Sequence, residues 1–426
     1  MKKTAFLFPG QGAQYVGMGK KLCDIYTSAA RTFEEADNAL EFNMSKLCYE
    51  GSIEELTKTE NTQPALLTAS VAAFRVFMEE YGIEPSCLAG HSLGEISALV
   101  CAGGMDFSDA VKIVRERGRF MQEAVPQGIG AMAAVSGIDR ELIEKECSTY
   151  AGGNEVVVVS NYNSPDQVVI SGHTSAVNAA GEKLRKLGAN IIPLKVSAPF
   201  HSPLMQPAAD RLRAELHKYT YKEFKYPVLS NVTAQPYAGH TSVIENLAAQ
   251  IVSPVRWTES MIFLKQNGIS TAVELGPKNV LKNLMKKNVP DIKTYSFDIE
   301  EDLELLKSGF SENSESAECA GSYNPNLPTV VTRCLATAVC TRNYNWDNDE
   351  YQKGVIEPYK RIQRLQEELE KQKKQPSKEQ MEDALEMLRS VFRTKKTPSE
   401  EQAERFTQIL EETGTFELFQ DFELEA

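Results

Sequence analysis

Short apolar runs alternate along the chain with longer stretches in which apolar positions return every three or four residues. Residues Thr4–Phe8 read as a buried strand that ends in a glycine-rich turn, Gly10-Gln11-Gly12-Ala13-Gln14. Cys87-Leu88-Ala89-Gly90 repeats the pattern and runs into a helix from Leu93 onward, and Thr271-Ala272-Val273-Glu274-Leu275-Gly276-Pro277 repeats it again late in the chain. Short apolar strands separated by amphipathic helices predict a mostly parallel sheet covered on both faces, the α/β class. This α/β-hydrolase-like large domain is expected over residues 1–126 and 198–297.

Between residues 127 and 197 the rhythm changes. The pattern gives strand (Ala131–Ser136), helix (Asp139–Tyr150), strand (Val156–Ser160), strand (Gln167–Ser171), helix (Ser175–Leu187) and strand (Asn190–Val196). That order, β-α-β-β-α-β, predicts a ferredoxin-like subdomain inserted into the larger one. Residues 298–346 read as a linker, with Ser308–Asn326 rich in Ser, Glu, Gly and Asn. Residues 347–426 read as a helical C-terminal extension, with helices near Asn348–Gln372, Ser377–Arg393 and Ser399–Glu412. The last two open on capping-box patterns, Ser377…Gln380 and Ser399…Gln402, each with a proline just before. Ala384, Leu385, Leu388, Val391 and Phe392 recur at helical spacing.

Composition narrows the function classes. A length of 426 residues suits two or three domains. The net charge of −13 offers no basic stripe for phosphates and argues against nucleic acid as a partner. No run approaches the roughly 18–20 apolar residues that span a bilayer, so no membrane partner is expected. The apolar stretch near the N-terminus stops at Pro9 and reads as a strand rather than a signal peptide. The eight cysteines show no Cys-x-x-Cys pair, and Cys334 and Cys340 lack the neighbours of a zinc site. They are expected to be reduced thiols in a cytoplasmic protein without a metal.

The chemistry centres on Gly90-His91-Ser92-Leu93-Gly94, a Gly-x-Ser-x-Gly pattern with a strand before it and a helix after it. There Ser92 would project from a tight turn, and the helix N-terminus would offer N–H groups to an oxyanion. A serine that only caps the helix is the structural alternative. A serine hydroxyl needs a base. Of the five histidines, His91 is too close in the chain, His217 lies in a charged helical stretch and His240 in a turn. His173 and His201 both follow strands, and pattern alone leaves them equal.

Arginine placement is more telling. In the predicted helix Asp106–Glu123, Ala110, Val114, Arg117 and Met121 share one otherwise apolar face, whereas Arg115 and Arg119 fall off it. A guanidinium facing a core is expensive unless an anion meets it. A buried structural ion pair would satisfy Arg117 as well as a substrate would. Lys278, Lys282 and Lys286 form an i, i+4 stripe with Lys287 beside them, and suit either an acidic protein partner or a helix C-terminus.

The chain resembles the malonyl-CoA:acyl-carrier-protein transacylases. The resemblance rests on Phe8-Pro9-Gly10-Gln11-Gly12, Gly90-His91-Ser92-Leu93-Gly94-Glu95, Arg117, Phe200-His201-Ser202, and Gln250 before Pro254-Val255-Arg256-Trp257, in order over about residues 1–295. With its C-terminal extension the chain resembles the discrete acyltransferases that serve polyketide assembly lines in trans. The resemblance implies Ser92 as nucleophile and His201 as base, with His201 oriented by the main-chain carbonyl of Gln250. It implies Gln11 and Leu93 N–H groups as the oxyanion hole, and Arg117 as the clamp on malonate's free carboxylate. An aromatic at Phe200 goes with malonyl selection, although Pro199 departs from the commonest malonyl version. Malonyl-CoA as substrate, an acyl carrier protein as acceptor and no cofactor follow, with Lys282, Lys286 and Lys287 as carrier-protein contacts. A proofreading acyl hydrolase is the rival reading, and Arg117 weighs against it. The tail, with Phe416, Phe419 and Phe422 among acids, reads as a solvated appendage or as a synthase-docking module.

Overall fold

The computed structural model describes residues 3–126, 128–150, 153–306, 329–345, 347–372 and 374–419. It divides into two units, Met1–Ser308 and Gly309–Ala426. The first contains strands β1 (Lys3–Phe8), β2 (Cys87–Gly90), β3 (Gly130–Ser136), β4 (Val157–Ser164), β5 (Gln167–His173), β6 (Asn190–Pro193), β7 (Ile269–Glu274) and β8 (Lys293–Ser296). They form two four-stranded sheets, ordered β2-β1-β7-β8 and β4-β5-β3-β6.

The first sheet is parallel throughout. Its inner strand β1 is buried from Thr4 to Phe8, as an unbroken apolar run covered on both faces should be. On one face Phe6 meets Phe77 of helix Thr59–Tyr81 edge-on, with ring centroids 5.0 Å apart. On the other, Ala5 and Leu7 share a core with Trp257 and Met261. Phe8 pairs with Gly90, so the turns leaving β1 and β2 lie side by side at the carboxyl edge of the sheet. Crevices at that edge are where open α/β sheets place ligands.

The second sheet is antiparallel, with β3 between β5 and β6, and its β-α-β-β-α-β order is the ferredoxin-like one. Three of its strands end elsewhere than their patterns predict, β5 by only two residues, at His173 instead of Ser171. β6 stops at Pro193 instead of Val196; it is an edge strand with Ile192 half exposed, and Leu194 and Val196 turn toward a cavity. β4 runs on to Ser164 instead of Ser160. Tyr162 N–H donates to the Val255 carbonyl (2.9 Å) and Val255 N–H to that of Ser160 (2.9 Å), so a distant segment extends the strand.

The second unit is helical and corrects the expected linker over 298–346. Residues 300–306, in the first unit, are already helical. Val330–Cys340 is a helix that buries Val330, Val331, Cys334, Leu335 and Ala338 in the core of the second unit. It opens on a Thr329–Thr332 capping box and carries a single charge, Arg333, so it lacks the charged face by which the other helices of this unit are read. The Ser-rich segment Ser308–Asn326 lies outside the described residues. The helix read over Asn348–Gln372 is interrupted by a π-helical turn, Gln352–Ile356. There Gly354 passes so close to Thr394 that an added Cβ would sit 2.0 Å from its hydroxyl. Ser377 and Gln380 form the predicted capping box of helix Lys378–Lys395. The second one does not form: Pro398 caps helix Ser399–Glu412, and Gln402 Nε2 donates to the Thr397 carbonyl at 2.7 Å. Phe419 is buried in this core and Phe416 is exposed, which removes Phe419 from any docking motif; Phe422 lies outside the described residues.

Lys395 is buried here and donates from Nζ to the carbonyls of Ala338 (2.8 Å) and Thr341 (2.9 Å), capping the C-terminal end of helix Val330–Cys340. A cation at that end is favoured by the helix dipole. Lys395→Met leaves both carbonyls unpaired, at a cost of about 1–3 kcal/mol. Amides of Val331–Ala338 are then expected to exchange with solvent roughly 10–100-fold faster, which hydrogen-exchange mass spectrometry reads directly.

Candidate active site

A cavity of about 180 Å³ opens where the two turns meet, lined by Gln11, Gln63, His91, Ser92, Leu93, Arg117, Met121, Met132, Phe200 and His201 among others. It joins the carboxyl edge of the parallel sheet to the antiparallel one, since Met132, Asn161, Asn163 and Val169 also line it.

Ser92 sits between β2 and helix Leu93–Cys101 with φ 52° and ψ −105°, a conformation that costs of order 1–3 kcal/mol and needs outside support. Two glycines permit it: a Cβ on Gly90 would lie 1.9 Å from the Gly94 carbonyl, and one on Gly94 would lie 2.0 Å from the Phe8 oxygen. Asn231 locks the turn, its Oδ1 accepting from Ser92 N–H (2.7 Å) while its Nδ2 donates to the Gly90 carbonyl (2.7 Å).

His201 Nε2 lies 2.8 Å from Ser92 Oγ, and Nδ1 lies 2.8 Å from the main-chain oxygen of Gln250. A carbonyl only accepts, so Nδ1 carries the proton and Nε2 faces the hydroxyl as a free acceptor. The other histidines are elsewhere engaged. His173 Nδ1 accepts from Val156 N–H at the end of β5, His91 meets Asn163 Oδ1 (2.9 Å), and His240 pairs with Glu223 (2.7 Å). His217 is exposed.

Burial, and then the Arg117 charge, push the His201 pKa down to about 3 against the upward pull of the Gln250 hydrogen bond. With its folded value lowered, the imidazole stays a neutral base as pH falls through the ordinary range near 6.5. Burial raises Glu95 to about 7, against hydrogen bonds from Tyr237, Asn231 and Gln250 and the Arg117 charge. The kcat/KM profile of acylation is therefore expected to show no His201 inflection between pH 8 and 5. An inflection near 7 that disappears in Glu95→Gln belongs to Glu95; one that survives gives His201 an ordinary pKa.

Arg117 lies on helix Phe107–Glu123 and is 1% exposed. It donates to Gln63 Oε1 (2.8 Å), Gln250 Oε1 (2.8 Å) and Ser92 Oγ (3.3 Å), while its Nε has no partner. It forms no salt bridge among the described residues, so the ion pair left open by the stripe argument is not there. Burial lowers its pKa to about 10. Arg119, off the stripe, is exposed and pairs with Glu116, and Arg115 lies over the Phe42 ring.

The structure thus gathers Ser92, His201, Gln11, Leu93, Arg117 and Phe200 around one cavity and places Gln250 behind them. The lysines do not join them. Lys282, expected as a carrier-protein contact, is engaged within its own unit: its partly buried ammonium pairs with Asp302 at 2.5 Å, a partner twenty residues further on. Lys287 pairs with Asp166 at 3.1 Å, and Lys286 is exposed. Sequence reasoning missed Gln63, Asn231 and the engagement of Glu95. For Gln63 a signal existed, because Asn61, Thr62 and Gln63 stand together at the start of an apolar helix and all are buried.

Among the described residues no helix is long and apolar enough to cross a membrane. The acyl transferase domain family matches residues 5–343. A malonyl CoA-acyl carrier protein transacylase of Bacillus subtilis is 41% identical over 406 residues, covering 94% of this chain and 99% of that protein. The enzyme of the same name from Escherichia coli K12 is 48% identical over 290 residues, covering 68% of this chain and 94% of that protein. A malonyl-transacylase solved in complex with its type II PKS acyl-carrier protein superposes with a TM-score of 0.70 at 41% identity, covering 72% of this chain and 99% of that one. The first of these matches extends into the second unit; the other two are almost fully accounted for by the length of the first. By these matches the chain belongs to the acyl transferase domain family and, within it, to the malonyl CoA-acyl carrier protein transacylases.

Proposed function

We propose that the protein transfers a malonyl group from malonyl-CoA to the phosphopantetheine thiol of an acyl carrier protein through a Ser92 ester. The observation that carries this reading is Arg117: a buried guanidinium without a carboxylate, hydrogen-bonded to the nucleophile's own oxygen. A planar fork with an open Nε matches a carboxylate better than a neutral acyl chain does.

The reaction runs in two halves. Ser92 Oγ attacks the thioester carbonyl as His201 Nε2 takes its proton, and the developing oxyanion meets the N–H groups of Gln11 and Leu93. The C–S bond breaks and the coenzyme A sulfur takes the proton from His201. The carrier thiol then gives its proton to His201 and attacks the ester, and Ser92 leaves with the proton restored. Gln250 keeps the imidazole in the tautomer that both halves need. Every electron pair and proton is accounted for without a redox cofactor or metal.

The acceptor is proposed to be a carrier domain of a cytoplasmic polyketide or hybrid polyketide/nonribosomal peptide synthase. Support comes from the second unit, which the Bacillus subtilis relative shares over most of its length and for which the Escherichia coli relative has little room. Intact-mass spectrometry of the full chain after brief mixing with malonyl-CoA tests the whole reading. One malonyl group should appear on the protein and move to added carrier protein, faster to a polyketide carrier domain than to a fatty-acid carrier. Hydrolysis of longer acyl thioesters without a malonyl adduct would establish the hydrolase instead.

Phe200 is 7% exposed and lines the cavity. Phe200→Ser opens space for an α-methyl group, worth about 1–3 kcal/mol in a fitted apolar pocket. The methylmalonyl-to-malonyl ratio of kcat/KM is expected to rise by roughly tenfold or more in a competition assay, and an unchanged ratio removes Phe200 from selection.

A further inference from the structure

Glu95 is fully buried one turn beyond the nucleophile, where a carboxyl group needs a reason to be. Its oxygens are fully employed. Oε1 accepts a short hydrogen bond from the Tyr237 hydroxyl, and Oε2 accepts from Asn231 N–H (2.8 Å) and from Gln250 Nε2 (2.8 Å). Asn231 is the residue that locks the Ser92 turn, and Gln250 is the residue that meets both His201 and Arg117.

The consequence lies in the side-chain amide of Gln250. Its Nε2 donates to Glu95 Oε2 and to the Ser92 carbonyl (3.0 Å), which uses both of its hydrogens on acceptors. The opposite end of the amide, Oε1, must then face the Arg117 guanidinium, which it meets at 2.8 Å. A flipped amide would point an NH2 group at the guanidinium and an oxygen at two acceptors. The same residue presents its main-chain oxygen to His201 Nδ1. We propose that Glu95 is a positioning residue that, through Gln250 and Asn231, sets the orientation of His201, Arg117 and the Ser92 turn together. It touches neither substrate nor reacting atoms. The inference rests on the malonyl-transfer reading of the site.

Glutamine and leucine at position 95 separate positioning from charge and from bulk. In Glu95→Gln the amide oxygen can still accept from Asn231 and Gln250 while its NH2 group donates to the Tyr237 oxygen. In Glu95→Leu the volume remains and every acceptor is gone. Acylation by malonyl-CoA and by acetyl-CoA is measured for both variants, together with thermal melting. Glu95→Leu is expected to lose roughly 100-fold or more in kcat/KM for malonyl-CoA, and its malonyl-over-acetyl preference to fall at least about tenfold as Arg117 loses its orientation. Glu95→Gln is expected to recover both to within about fivefold of wild type. Tyr237→Phe, which withdraws one anchor without a cavity, should move both quantities in the same direction by a smaller amount, and it decides the matter if Glu95→Leu does not fold.

A folded Glu95→Leu, or failing that Tyr237→Phe, with wild-type kcat/KM and preference overturns the proposal. So does a Glu95→Gln variant as impaired as Glu95→Leu, because that outcome assigns the effect to charge. A wild-type protein that takes no malonyl group sinks the proposed function and this inference with it, whereas an active wild type with an unimpaired Glu95→Leu sinks the inference alone.

Discussion

Ser92→Ala is expected to leave a folded protein that takes no malonyl group and transfers malonyl to carrier protein at least about 10⁴-fold more slowly than wild type. That factor corresponds to about 5 kcal/mol of lost transition-state stabilisation. The hydroxyl lies 2.8 Å from His201 Nε2, placed to give up its proton and form the ester. Its removal leaves the turn intact, because what supports φ 52° at position 92 is the backbone: the Gly90–Gly94 approach and the Asn231 bonds to Ser92 N–H and Gly90 carbonyl. Alanine adopts that conformation at no greater cost than serine, so melting should shift by no more than a few degrees. Intact mass and single-turnover transfer are the measurements. Residual thioester cleavage within tenfold of wild type would mean that His201 activates water directly and that the ester is not on the path.

Local features of the fold were legible and distant ones were not. β1 and β2 announce themselves as apolar runs ending in glycine turns, and the β-α-β-β-α-β order follows from period and turn signals within 70 residues. The end of β4 does not, because what extends it to Ser164 is a segment around Val255. Helix Val330–Cys340 was lost in an expected linker, since its cap is a threonine pair and its sequence lacks the charged face that marks a surface helix. The site divides the same way. Arg117 shows on its helix face from spacing alone. Choosing His201 over His173 by pattern is impossible, because the distinction is whether the imidazole reaches Ser92 or accepts from Val156 N–H. Gln250 acts on His201 through its carbonyl, which every residue has, so only a family resemblance could single it out. Lys282 and Lys286 stand four apart on one helix and look alike in sequence, yet the first is partly buried in an ion pair with Asp302 and the second is exposed.

Arg117→Ala is expected to lower kcat/KM for malonyl-CoA by roughly 10²–10³-fold while leaving acetyl-CoA acylation unchanged or faster. The argument is electrostatic. A guanidinium whose pKa stands near 10 in place of 12.5 carries roughly 3 kcal/mol of bias against its own charge in the empty site. No carboxylate among the described residues relieves it by a salt bridge; Glu95 acts only at longer range, through Gln250. Malonate's free carboxylate is the proposed partner, and breaking such a buried charged pair typically costs about 2–5 kcal/mol. The loss should fall mainly on KM, since the carboxylate is bound alike before and during attack, with a smaller share on kcat from the Arg117 contact to Ser92 Oγ at 3.3 Å. Stability should change far less than activity. Arg117→Met removes the desolvated charge but leaves the Gln63 and Gln250 amide oxygens without their donor, so the two effects offset and its melting temperature is expected to stay within a few degrees of wild type. Paired kinetics and melting curves on the two variants distinguish the clamp from a structural arginine: loss of malonyl preference with stability retained assigns Arg117 to the substrate, whereas a drop in melting temperature with the malonyl-to-acetyl ratio preserved assigns it to the fold.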